Sequence, residues 1–554
     1  NTGVNFTEGQ KESLIQLLKS EDRFNGVQGH AGVGKTFMLK PLVGIAQEQG
    51  INVKVAAPFG EIANKLGSDL GVESNTLKSL LFELEKEVKQ KKSRIFSPSK
   101  TESKQAMANL FSLNNNNKNQ TLIIVDEAST INSPDMASLV TYTSLLDYRV
   151  VLSGDRAQLG GVERGMPNAQ MIDNGMSTSI NTDIVRQKEG TQARYVVDST
   201  YARKFGRALD KLDDKVYEDP NRDKRIGKFV TDYIALKEKD PDHLGLIMDN
   251  KSRLEATELI RDVYKKTGKI SSDEIKFNTL INAKNDGVKK RMAQYYTSGM
   301  RVRFLQKYKK INVEKDQYFT VVSSTSREVT LSDGRRTFKW EPSKYGGNKE
   351  LGGVTSYYNS KIGLSKGDEI RFKDKNKELD VKNGRQGTVV EIKDGNVIIK
   401  GQDGKIRTLN PSNSRHQHLE HSYISTAYTA QGLTGRSVQA MADSYQKNLL
   451  NDSSFLVAVS RAKSDIRLYV DSKEKVVSAL EKRSGLKKSG LDHSEKDNNK
   501  EDKEQKFEQE LKQKEQKRIT DTFVSQPKSQ TPSIDNDANK GMPKQNQREK
   551  TFLP

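Results

Sequence analysis

GHAGVGKT occupies residues 29–36, and this stretch decides the fold. It satisfies the pattern G-x-x-x-x-G-K-[S/T], whose backbone N–H groups surround phosphate oxygens at the start of a helix. FNGVQ at residues 24–28 is typical of a strand, and FMLKPLVGIAQEQG at residues 37–50 is typical of a helix. A strand, a glycine-rich turn and a helix in that order predict a nucleotide-binding α/β unit.

Each fixed position of this pattern has a physical task. Gly29, Gly32 and Gly34 let the backbone turn its N–H groups towards phosphate oxygens. Lys35 is expected to hold the β- and γ-phosphates as a mobile point charge, and the hydroxyl of Thr36 to ligate Mg²⁺. The motif therefore predicts ATP and Mg²⁺ as the bound species.

LIIVDEAS at residues 122–129 supplies the second half of a nucleotide site. Its four apolar residues predict a buried strand that ends at Asp126 and Glu127. Because a P-loop precedes this strand, Asp126 is expected to hold Mg²⁺ through the coordination shell of the ion. Glu127 is expected to polarise the attacking water as a general base. An acidic pair alone is usually a solvated strand end, so the apolar strand and the P-loop carry this interpretation.

Four polar residues near strand-like segments are candidates for nucleotide contacts. Gln158 in SGDRAQLGG is placed to touch the γ-phosphate and the attacking water, although a loop glutamine on its own more often bonds to backbone. Arg186 in DIVRQ and Arg461 in AVSRAKSD are candidate arginine fingers from the second lobe. A surface arginine is the alternative for both, and their position after strand-like segments favours the finger role, for Arg461 more than for Arg186. Gln10 in FTEGQKESL is a candidate reader of the adenine edge, with a helix-surface glutamine as the alternative.

The first part of the chain alternates short apolar strands with amphipathic helices. This alternation predicts an α/β lobe with a parallel sheet over residues 1–180. Polar, low-complexity stretches predict a small surface insertion at about residues 85–120. The predicted strands with polar carboxyl ends are VKVAAP (53–58), TLIIVDE (121–127) and YRVVLSGD (148–155).

The rest of the chain changes character three times. Residues 181–296 are predicted to be more helical, with one strand at LGLIMDN (244–250), and to begin a second α/β lobe. Short strands and frequent turn signals over 297–411 predict an all-β barrel inserted into that lobe, which resumes over 412–475. Residues 476–554 are rich in Lys, Glu, Gln, Asn and Ser, which predicts a disordered charged tail.

Composition limits the class of partner. There are 93 Lys and Arg against 73 Asp and Glu, and the formal net charge of +20 favours a polyanion as partner, nucleic acid before acidic lipid.

No cysteine is present, which excludes disulfides and fits a reducing cytoplasm. No apolar run approaches the ~20 residues of a membrane helix, so we expect no membrane insertion. The chain begins at Asn1 without a methionine, so we expect it to be a fragment of a longer protein, and its N-terminus lacks a signal-peptide pattern, which fits a cytoplasmic location.

Three of the six histidines lie together in RHQHLEH, at His416, His418 and His421. A cluster of this kind is compatible with a metal site. A metal-dependent nuclease site with three histidines would also need a tyrosine nucleophile in a matching fold, and none surrounds this cluster. The alternative, a structural role ahead of a strand, is therefore favoured.

Taken together, the motifs resemble the series that defines superfamily 1 helicases. The matching segments are FTEGQ (6–10), GHAGVGKT (29–36), AAPFGEIANKL (56–66), VDEAS (125–129), GDRAQL (154–159), VRQ (185–187), STAYTAQGLTG (425–435) and FLVAVSRAKSDIRLYVD (455–471). The series is similar to the RecD-like branch, which translocates 5′→3′. A closer resemblance, to the C-terminal helicase of TraI/TrwC-class conjugative relaxase–helicases, is carried by VRQKEGTQARYVVDSTYARKFGRAL (185–209), LIMDNKSRLEATELIRDVY (246–264), SGMRVRFLQKYKKINVEKDQYFTV (298–321) and HLEHSYISTAYTAQGLTG (418–435). The resemblance spans about residues 5–472 and implies two RecA-like P-loop lobes, with an SH3-like β insertion in the second.

The resemblance also assigns roles by position. It implies ATP-site roles for Lys35, Thr36, Asp126, Glu127, Gln158, Arg186 and Arg461, and contacts with single-stranded DNA for Pro58, Phe59, Thr76, Gln431 and Gly432. Phe59 stands where relatives often carry Thr, and stacking on a base and packing inward are equal alternatives for its ring. In the insertion, Lys382 and Arg385 are candidates to meet phosphates, with a purely structural barrel as the alternative.

These patterns favour an ATP-dependent, 5′→3′ DNA helicase on single-stranded DNA, acting in plasmid conjugation as the motor part of a relaxase–helicase. One alternative is a RecD-like repair or phage helicase on the same scaffold. A second is a vestigial motor kept as a single-stranded DNA binding module, against which the intact Lys35, Glu127 and Arg461 argue. Conjugative transfer or secretion proteins are expected partners of the tail.

Overall fold

The computed structural model of the chain describes residues 5–96, 120–160, 165–285, 287–347 and 353–485. Most of the predicted insertion at about 85–120 and most of the predicted tail from 476 lie outside these residues. The described part forms two parallel sheets and two antiparallel sheets. Two α/β lobes with an all-β insertion in the second confirm the predicted fold class.

The first lobe is a six-stranded parallel sheet of order β3-β2-β4-β5-β1-β6. Its strands are β1 (Phe24–Gly29), β2 (Asn52–Ala57), β3 (Ser74–Thr76), β4 (Thr121–Val125), β5 (Arg149–Gly154) and β6 (Thr178–Asn181). Its helices are α1 (Glu8–Lys19), α2 (Lys35–Glu48), α3 (Gly60–Leu70), α4 (Leu77–Phe96), α5 (Ser133–Leu146) and α6 (Pro167–Asp173). The three strands expected from apolar runs are β2, β4 and β5, and they lie side by side.

Both faces of this sheet are covered because successive strand residues point to opposite sides. In β4, Ile123 and Val125 pack in a core with residues of α4 and α5, whereas Ile124 packs with residues of α2 and α3. Burying each such side chain stabilises the fold by roughly 1.5–3 kcal/mol. The polar residues that follow β4 therefore emerge at a fixed place, at the carboxyl edge of the sheet.

Helix α4 corrects the interpretation of one polar stretch. KEVKQKKSRIF, which reads as the start of a surface insertion, is the second half of this helix. The buried residues Leu77, Leu81, Leu84 and Val88 recur at helical spacing and hold one face against the sheet. The charged residues between them belong to the other side of the same helix.

The second lobe is a five-stranded parallel sheet of order β20-β8-β21-β22-β7. Its strands are β7 (Val216–Glu218), β8 (Leu244–Ile247), β20 (Ile424–Ser425), β21 (Gly435–Ala442) and β22 (Ala462–Val470). Its helices are α7 (Gln192–Tyr201), α8 (Phe205–Leu212), α9 (Arg222–Lys239), α10 (Asn250–Lys266), α11 (Ala427–Ala430), α12 (Asp452–Ser460) and α13 (Lys473–Lys482). Helix α13 corrects the predicted start of the tail at 476, because Val476 and Leu480 lie one helical turn apart and are fully buried.

The insertion contains two antiparallel sheets, of order β13-β12-β11-β10-β14-β9 and β18-β17-β16-β15-β19. The strands are β9 (Ile275–Asn282), β10 (Arg301–Phe304), β11 (Tyr318–Ser324), β12 (Val329–Ser332), β13 (Thr337–Trp340), β14 (Val354–Leu364), β15 (Glu369–Phe372), β16 (Gln386–Lys393), β17 (Asn396–Gly401), β18 (Ile406–Leu409) and β19 (Leu419–His421). The insertion is therefore larger than the predicted range 297–411. Strand β9 precedes that range because it pairs along its whole length with the distant β14, and such pairing leaves no local turn signal.

The two lobes share a buried apolar cluster. Val33 of the P-loop, Leu159 and Ile184 of the first lobe pack in the same core as residues of α7, α12 and β22. This cluster brings the carboxyl edge of the first sheet against the second lobe. Of the helices that the structure describes, none is long and apolar enough to cross a membrane.

Candidate functional site

The loop between β1 and α2 is a cradle built from backbone. Gly32 and Gly34 have φ angles of 88° and 76°, in the left-handed region that side chains rarely adopt. A Cβ on Gly32 would lie 2.6 Å from the Cβ of Arg186, and a Cβ on Gly34 would lie 2.7 Å from Nε2 of Gln10. Both the conformation and the packing therefore require glycine at these two positions.

The start of α2 presents free N–H groups to this cradle. The helix begins at Lys35, after Gly34, and no side chain caps it. Uncapped N–H groups and the helix dipole make this end favourable for an anion. The ammonium of Lys35 donates to the carbonyl oxygen of Gly29 at 2.8 Å, and Thr36 follows half-buried. The structure thus brings the predicted phosphate-binding residues together.

Strand β4 delivers the two predicted acidic residues next to this loop. Asp126 is buried, and its Oδ1 accepts a hydrogen bond from the hydroxyl of Ser153 at 2.8 Å. Glu127 has a φ of 52°, a left-handed conformation that costs a non-glycine residue of order 1–3 kcal/mol. Such strain persists where the surrounding packing fixes the residue, and it is concentrated at functional sites.

The environment of Glu127 suits a proton acceptor. Burial raises the pKa of this carboxyl, and the neighbouring Asp126 adds to the rise. The cations Lys35 and Arg461 oppose it. A carboxylate whose pKa lies above its ordinary range matches a general base that works near neutral pH.

Gln431, which the resemblance assigns to DNA, lies beside the candidate general base in this structure. Its side chain is only 4% exposed, and its Nε2 donates to Oε2 of Glu127 at 3.2 Å. The next residue, Gly432, packs on the first lobe, where a Cβ would lie 2.9 Å from Cγ1 of Ile62 in α3. The Gln431 amide thus contacts the candidate general base, and its contact with DNA stays a prediction.

Arg461 enters the site at the end of α12 and is 2% exposed. Its Nη2 donates to Oε1 of Gln158 at 3.1 Å, and its Nε donates to the carbonyl oxygen of Val457 at 3.1 Å. Burial lowers the pKa of the guanidinium, while the nearby Glu127 opposes that shift. A guanidinium fixed in a low-dielectric site interacts strongly with charge, as an arginine finger requires.

The other end of the Gln158 amide is held by Asp155. Its Nε2 donates to Oδ2 of Asp155 at 2.9 Å, and the N–H of Ala157 donates to Oδ1 at 3.0 Å. Because an ionised carboxylate only accepts, the NH₂ group must face Asp155 and the amide oxygen must face Arg461. The sequence reasoning did not single out Asp155, although a polar residue directly after a buried strand was an available signal.

Arg186 lies between the P-loop and the second lobe. Its N–H donates to the carbonyl oxygen of Gly32 at 3.1 Å, and its Nη1 donates to the carbonyl oxygen of Ser460 at 2.7 Å. Burial lowers the pKa of Arg186 to about 9, and the nearby Arg461 contributes to this shift. Two guanidinium groups held this close favour an anion between the lobes.

Gln10 lies beside the P-loop, but its amide is already bonded within the protein. Its Oε1 accepts from the N–H of Thr7 at 3.1 Å, and its Nε2 donates to the carbonyl oxygen of Val33 at 2.7 Å. Reading an adenine edge would require these bonds to be exchanged. The adenine role of Gln10 stays a prediction.

The residues predicted to hold Mg²⁺ fit that ion. The hydroxyl of Thr36 and the carboxylate of Asp126 are hard oxygen donors, the ligand type that Mg²⁺ prefers. In the described residues, no group of three or more His, Cys, Asp or Glu side chains is arranged to hold a metal. Mg²⁺ commonly keeps several waters and takes phosphate oxygens, so two protein oxygens are sufficient.

The three clustered histidines have separate partners. His416 accepts from the N–H of Asn410 at 3.0 Å, and His421 Nε2 donates to the carbonyl oxygen of Gly363 at 2.9 Å. His418 is bonded to the hydroxyl of Tyr318 at 2.9 Å, and burial lowers its pKa to about 4. These contacts support the structural interpretation of the cluster.

Three of the residues predicted to contact DNA lie at the carboxyl ends of strands β2 and β3. Pro58 is half-buried, and Phe59 is 39% exposed at the start of α3. Thr76 is the last residue of β3, and its hydroxyl accepts from the N–H of Ser79 at 3.3 Å. The exposed ring of Phe59 is available to stack on a base, and its role in DNA binding stays a prediction.

A cleft of about 520 Å³ lies between α3, β3 and the insertion. Its lining comprises Gly60, Ala63, Asn64, Gly67, Ser68, Gly71, Val72, Glu73, Ser74, Asn75, Thr76, Ser79, Lys375, Lys382, Asn383 and Arg385. Three of these side chains are cationic and one is acidic. The cleft thus joins Thr76 to Lys382 and Arg385, which the sequence predicts to meet DNA phosphates.

Comparison with known proteins gives related sequences over most of the chain. Residues 5–217 match the family model described as an AAA domain. The multifunctional conjugation protein TraI of Escherichia coli K12 is 23% identical over 523 residues, which cover 85% of this chain and 28% of TraI. A probable conjugal transfer protein TraA of Sinorhizobium fredii is 22% identical over 463 residues, covering 83% of this chain and 32% of TraA. The chain therefore spans less than a third of the length of these relatives.

Solved structures of Pif1 helicases are also similar. The Candida albicans Pif1 structure is 14% identical with a TM-score of 0.43, covering 85% of this chain and 96% of that one. A structure of Bacteroides Pif1 bound to single-stranded DNA is 17% identical with a TM-score of 0.36, covering 85% and 94%.

A P-loop, an acidic strand end and an arginine from a second parallel lobe meet at one site in this chain. This combination of fold and site resembles that of superfamily 1 helicases. The sequence similarity to TraI and TraA confirms the resemblance to TraI-type helicases that the motifs indicate.

Proposed function

We propose that the chain is the motor of an ATP-dependent DNA helicase that moves along single-stranded DNA. The observation that carries this proposal is the pair of buried hydrogen bonds between the lobes, from Arg461 to Gln158 and from Gln431 to Glu127. A hydrolysis site completed by both lobes is fully assembled only when they are closed. ATP binding and turnover are thereby linked to the relative motion of the lobes.

The residues have distinct tasks in hydrolysis. Lys35 and the N–H groups at the start of α2 bind the phosphates of ATP. Glu127 accepts the proton of the attacking water, and Arg461 stabilises the charge that develops on the transferred phosphoryl group. Thr36 and Asp126 would hold Mg²⁺, which neutralises charge on the phosphate oxygens.

The cleft between α3 and the insertion is the proposed path of the DNA strand. Lys382 and Arg385 supply positive charge for the phosphates, and the exposed ring of Phe59 supplies a stacking surface. Neither contact reads base identity, so binding is expected to be independent of sequence. Gly432 packs on α3 next to this path, so movement of the second lobe is passed to the DNA-binding side of the first.

We assign this motor to plasmid conjugation, with 5′→3′ translocation in the cytoplasm. The names of the E. coli TraI and S. fredii TraA relatives support conjugation. The motif resemblance to the RecD-like branch supports the direction. We also propose that conjugative transfer proteins bind the part of the chain that follows residue 485.

The proposal is tested by ATPase assays with defined DNA. We expect hydrolysis to be stimulated by single strands of any sequence, to fall steeply as salt rises, and to be absent in Lys35→Ala. Stimulation by blunt duplex but not by single strands would contradict the proposal.

A further inference from the structure

Tyr201, the last residue of α7, bridges two parts of the nucleotide site. Its hydroxyl donates to Oδ2 of Asp155 at 2.7 Å and accepts from the N–H of Ala31 in the P-loop at 2.6 Å. Its ring is stacked on His30, with centroids 3.7 Å apart and planes inclined by 10°. The hydroxyl group therefore joins the phosphate loop to the carboxylate that holds Gln158.

The helix that carries Tyr201 packs with the second lobe. Ala193, Val196 and Val197 of α7 are buried in one core with residues of α12 and β22. Asp155 and Ala31 belong to the first lobe, at the ends of β5 and β1. Tyr201 thus extends from the second lobe into the first.

The hydrogen bonds of Tyr201 continue a relay that ends at the arginine finger. Asp155 Oδ2 accepts from both Tyr201 and Gln158, and Gln158 accepts from Arg461. Separation of the lobes would break the two bonds of Tyr201 together with the Arg461 bond. The Gln158 amide is therefore oriented by a carboxylate oxygen that also accepts a hydrogen bond from the second lobe, while Oδ1 of the same carboxylate accepts from Ala157 and Gln28 of the first lobe.

The hydroxyl remains a donor under ordinary conditions. Burial raises the pKa of Tyr201 well above its usual value, and the charge of Asp155 adds to the rise. Asp155 is itself fully buried, so removal of one donor leaves part of its charge uncompensated.

We propose that Tyr201 is a positioning residue that senses lobe closure, orients Asp155 and Gln158, and thereby couples ATP hydrolysis to DNA binding. This role rests on the proposed ATP-driven motor. Tyr201 acts through Asp155 and not on the nucleotide itself. It differs in this from Arg461, which is expected to meet the transferred phosphoryl group directly.

The test is Tyr201→Phe, which removes both hydrogen bonds and keeps the stacked ring. Tyr195→Phe is the matched control, because Tyr195 lies on the same helix and is 42% exposed. We expect kcat of the ATPase stimulated by single-stranded DNA to fall about tenfold in Tyr201→Phe, the size expected for loss of a hydrogen bond to a charged group, with little change in KM for ATP. Tyr195→Phe should match the wild type in both parameters and in Tm.

A double-mutant cycle with Asp155→Asn separates positioning from general loss of structure. If Tyr201 acts through Asp155, the double variant loses no more activity than Asp155→Asn alone, whereas independent roles would multiply the two losses. Multiplied losses, an unchanged kcat in Tyr201→Phe, or an effect on KM alone would overturn this role while leaving the proposed motor intact. A wild-type protein without DNA-stimulated ATPase would overturn both.

Discussion

Arg461 Nη2 donates to Gln158 Oε1 at 3.1 Å, although 303 residues separate the two in the chain. One side chain follows a helix of the second lobe, and the other follows β5 of the first lobe. Their contact assembles a candidate arginine finger and a candidate phosphate sensor in one buried place. It also makes the hydrolysis site a property of both lobes.

Arg461→Ala should lower kcat far more than it weakens nucleotide binding. Removing an arginine finger typically costs about 10³-fold in turnover, because the charge on the transferred phosphoryl group is left unstabilised. Steady-state ATPase kinetics and a nucleotide-binding titration measure the two effects. Lys463→Ala, an exposed cation two residues later, is the control and should leave both unchanged. Weaker nucleotide binding with normal turnover would make Arg461 a structural residue.

Lys35→Ala and Glu127→Gln should fail at different steps. Lys35→Ala removes the charge that holds the β- and γ-phosphates, so we expect it to lose ATP binding and unwinding. Glu127→Gln removes the proton acceptor, so we expect it to lose turnover but to keep ATP-dependent binding of single-stranded DNA. ATPase and DNA-binding assays distinguish the two. An ATPase rate close to wild type in either variant would exclude these roles.

The raised pKa of Glu127 predicts the pH dependence of turnover. The base must be ionised, so kcat should fall as pH decreases, with a midpoint above the ordinary range of a glutamate. A pH profile of DNA-stimulated kcat measures this midpoint. A rate that stays constant down to the usual glutamate pKa would contradict the assignment of Glu127 as the base.

The same pKa shift predicts an effect on stability. A carboxyl whose pKa is raised by folding stabilises the native state only while it is protonated, and this contribution is lost as pH rises through the raised pKa. Glutamine resembles the protonated form. Glu127→Gln should therefore have a larger free energy of unfolding than the wild type at pH 8, and the difference should shrink towards pH 5. Denaturant unfolding at both pH values checks the sign, and a difference that grows on acidification would refute it.

The cleft beside α3 should bind the DNA backbone. Replacing Lys382 and Arg385 with Ala should weaken binding to all single strands similarly and reduce the salt slope of the affinity by ~0.7 for each phosphate that is no longer neutralised. Lys377→Ala changes an exposed cation of the same segment that does not line the cleft, so it is the matched control. Affinities measured across a salt series test this. An unchanged slope in the double variant would remove the insertion from the DNA path.

Local patterns predicted the chemistry of each half of the site but not how the halves meet. The P-loop and the strand ending at Asp126 and Glu127 are encoded in short segments, because buried parallel strands with polar ends have a recognisable composition. The resemblance assigns Gln431 to DNA, because its motif couples the state of the nucleotide site to the DNA strand. The structure places its amide at Glu127, and the adjacent Gly432 packs against α3.

Long-range pairing and helix continuity account for most of the remaining differences. Strand β9 pairs with β14, which is distant in the chain, so no turn signal in the neighbouring sequence marks the start of the insertion. The polar half of α4 and the first turns of α13 look like loop or tail, yet each continues a helix whose apolar residues reach a core. The sequence indicates no specific role for Tyr201, and its position at the site is evident only from the contact of α7 with the P-loop.

Strand displacement on two partial duplexes tests the central claim most directly. One substrate carries a 5′ single-stranded overhang and the other a 3′ overhang of the same length and sequence composition, and Lys35→Ala serves as the control for ATP dependence. We predict that the wild type unwinds the 5′-overhang substrate only with ATP and leaves the 3′-overhang substrate paired, while Lys35→Ala unwinds neither. Displacement from the 3′ overhang alone would contradict the direction, and the absence of ATP-dependent displacement from both would contradict the motor itself.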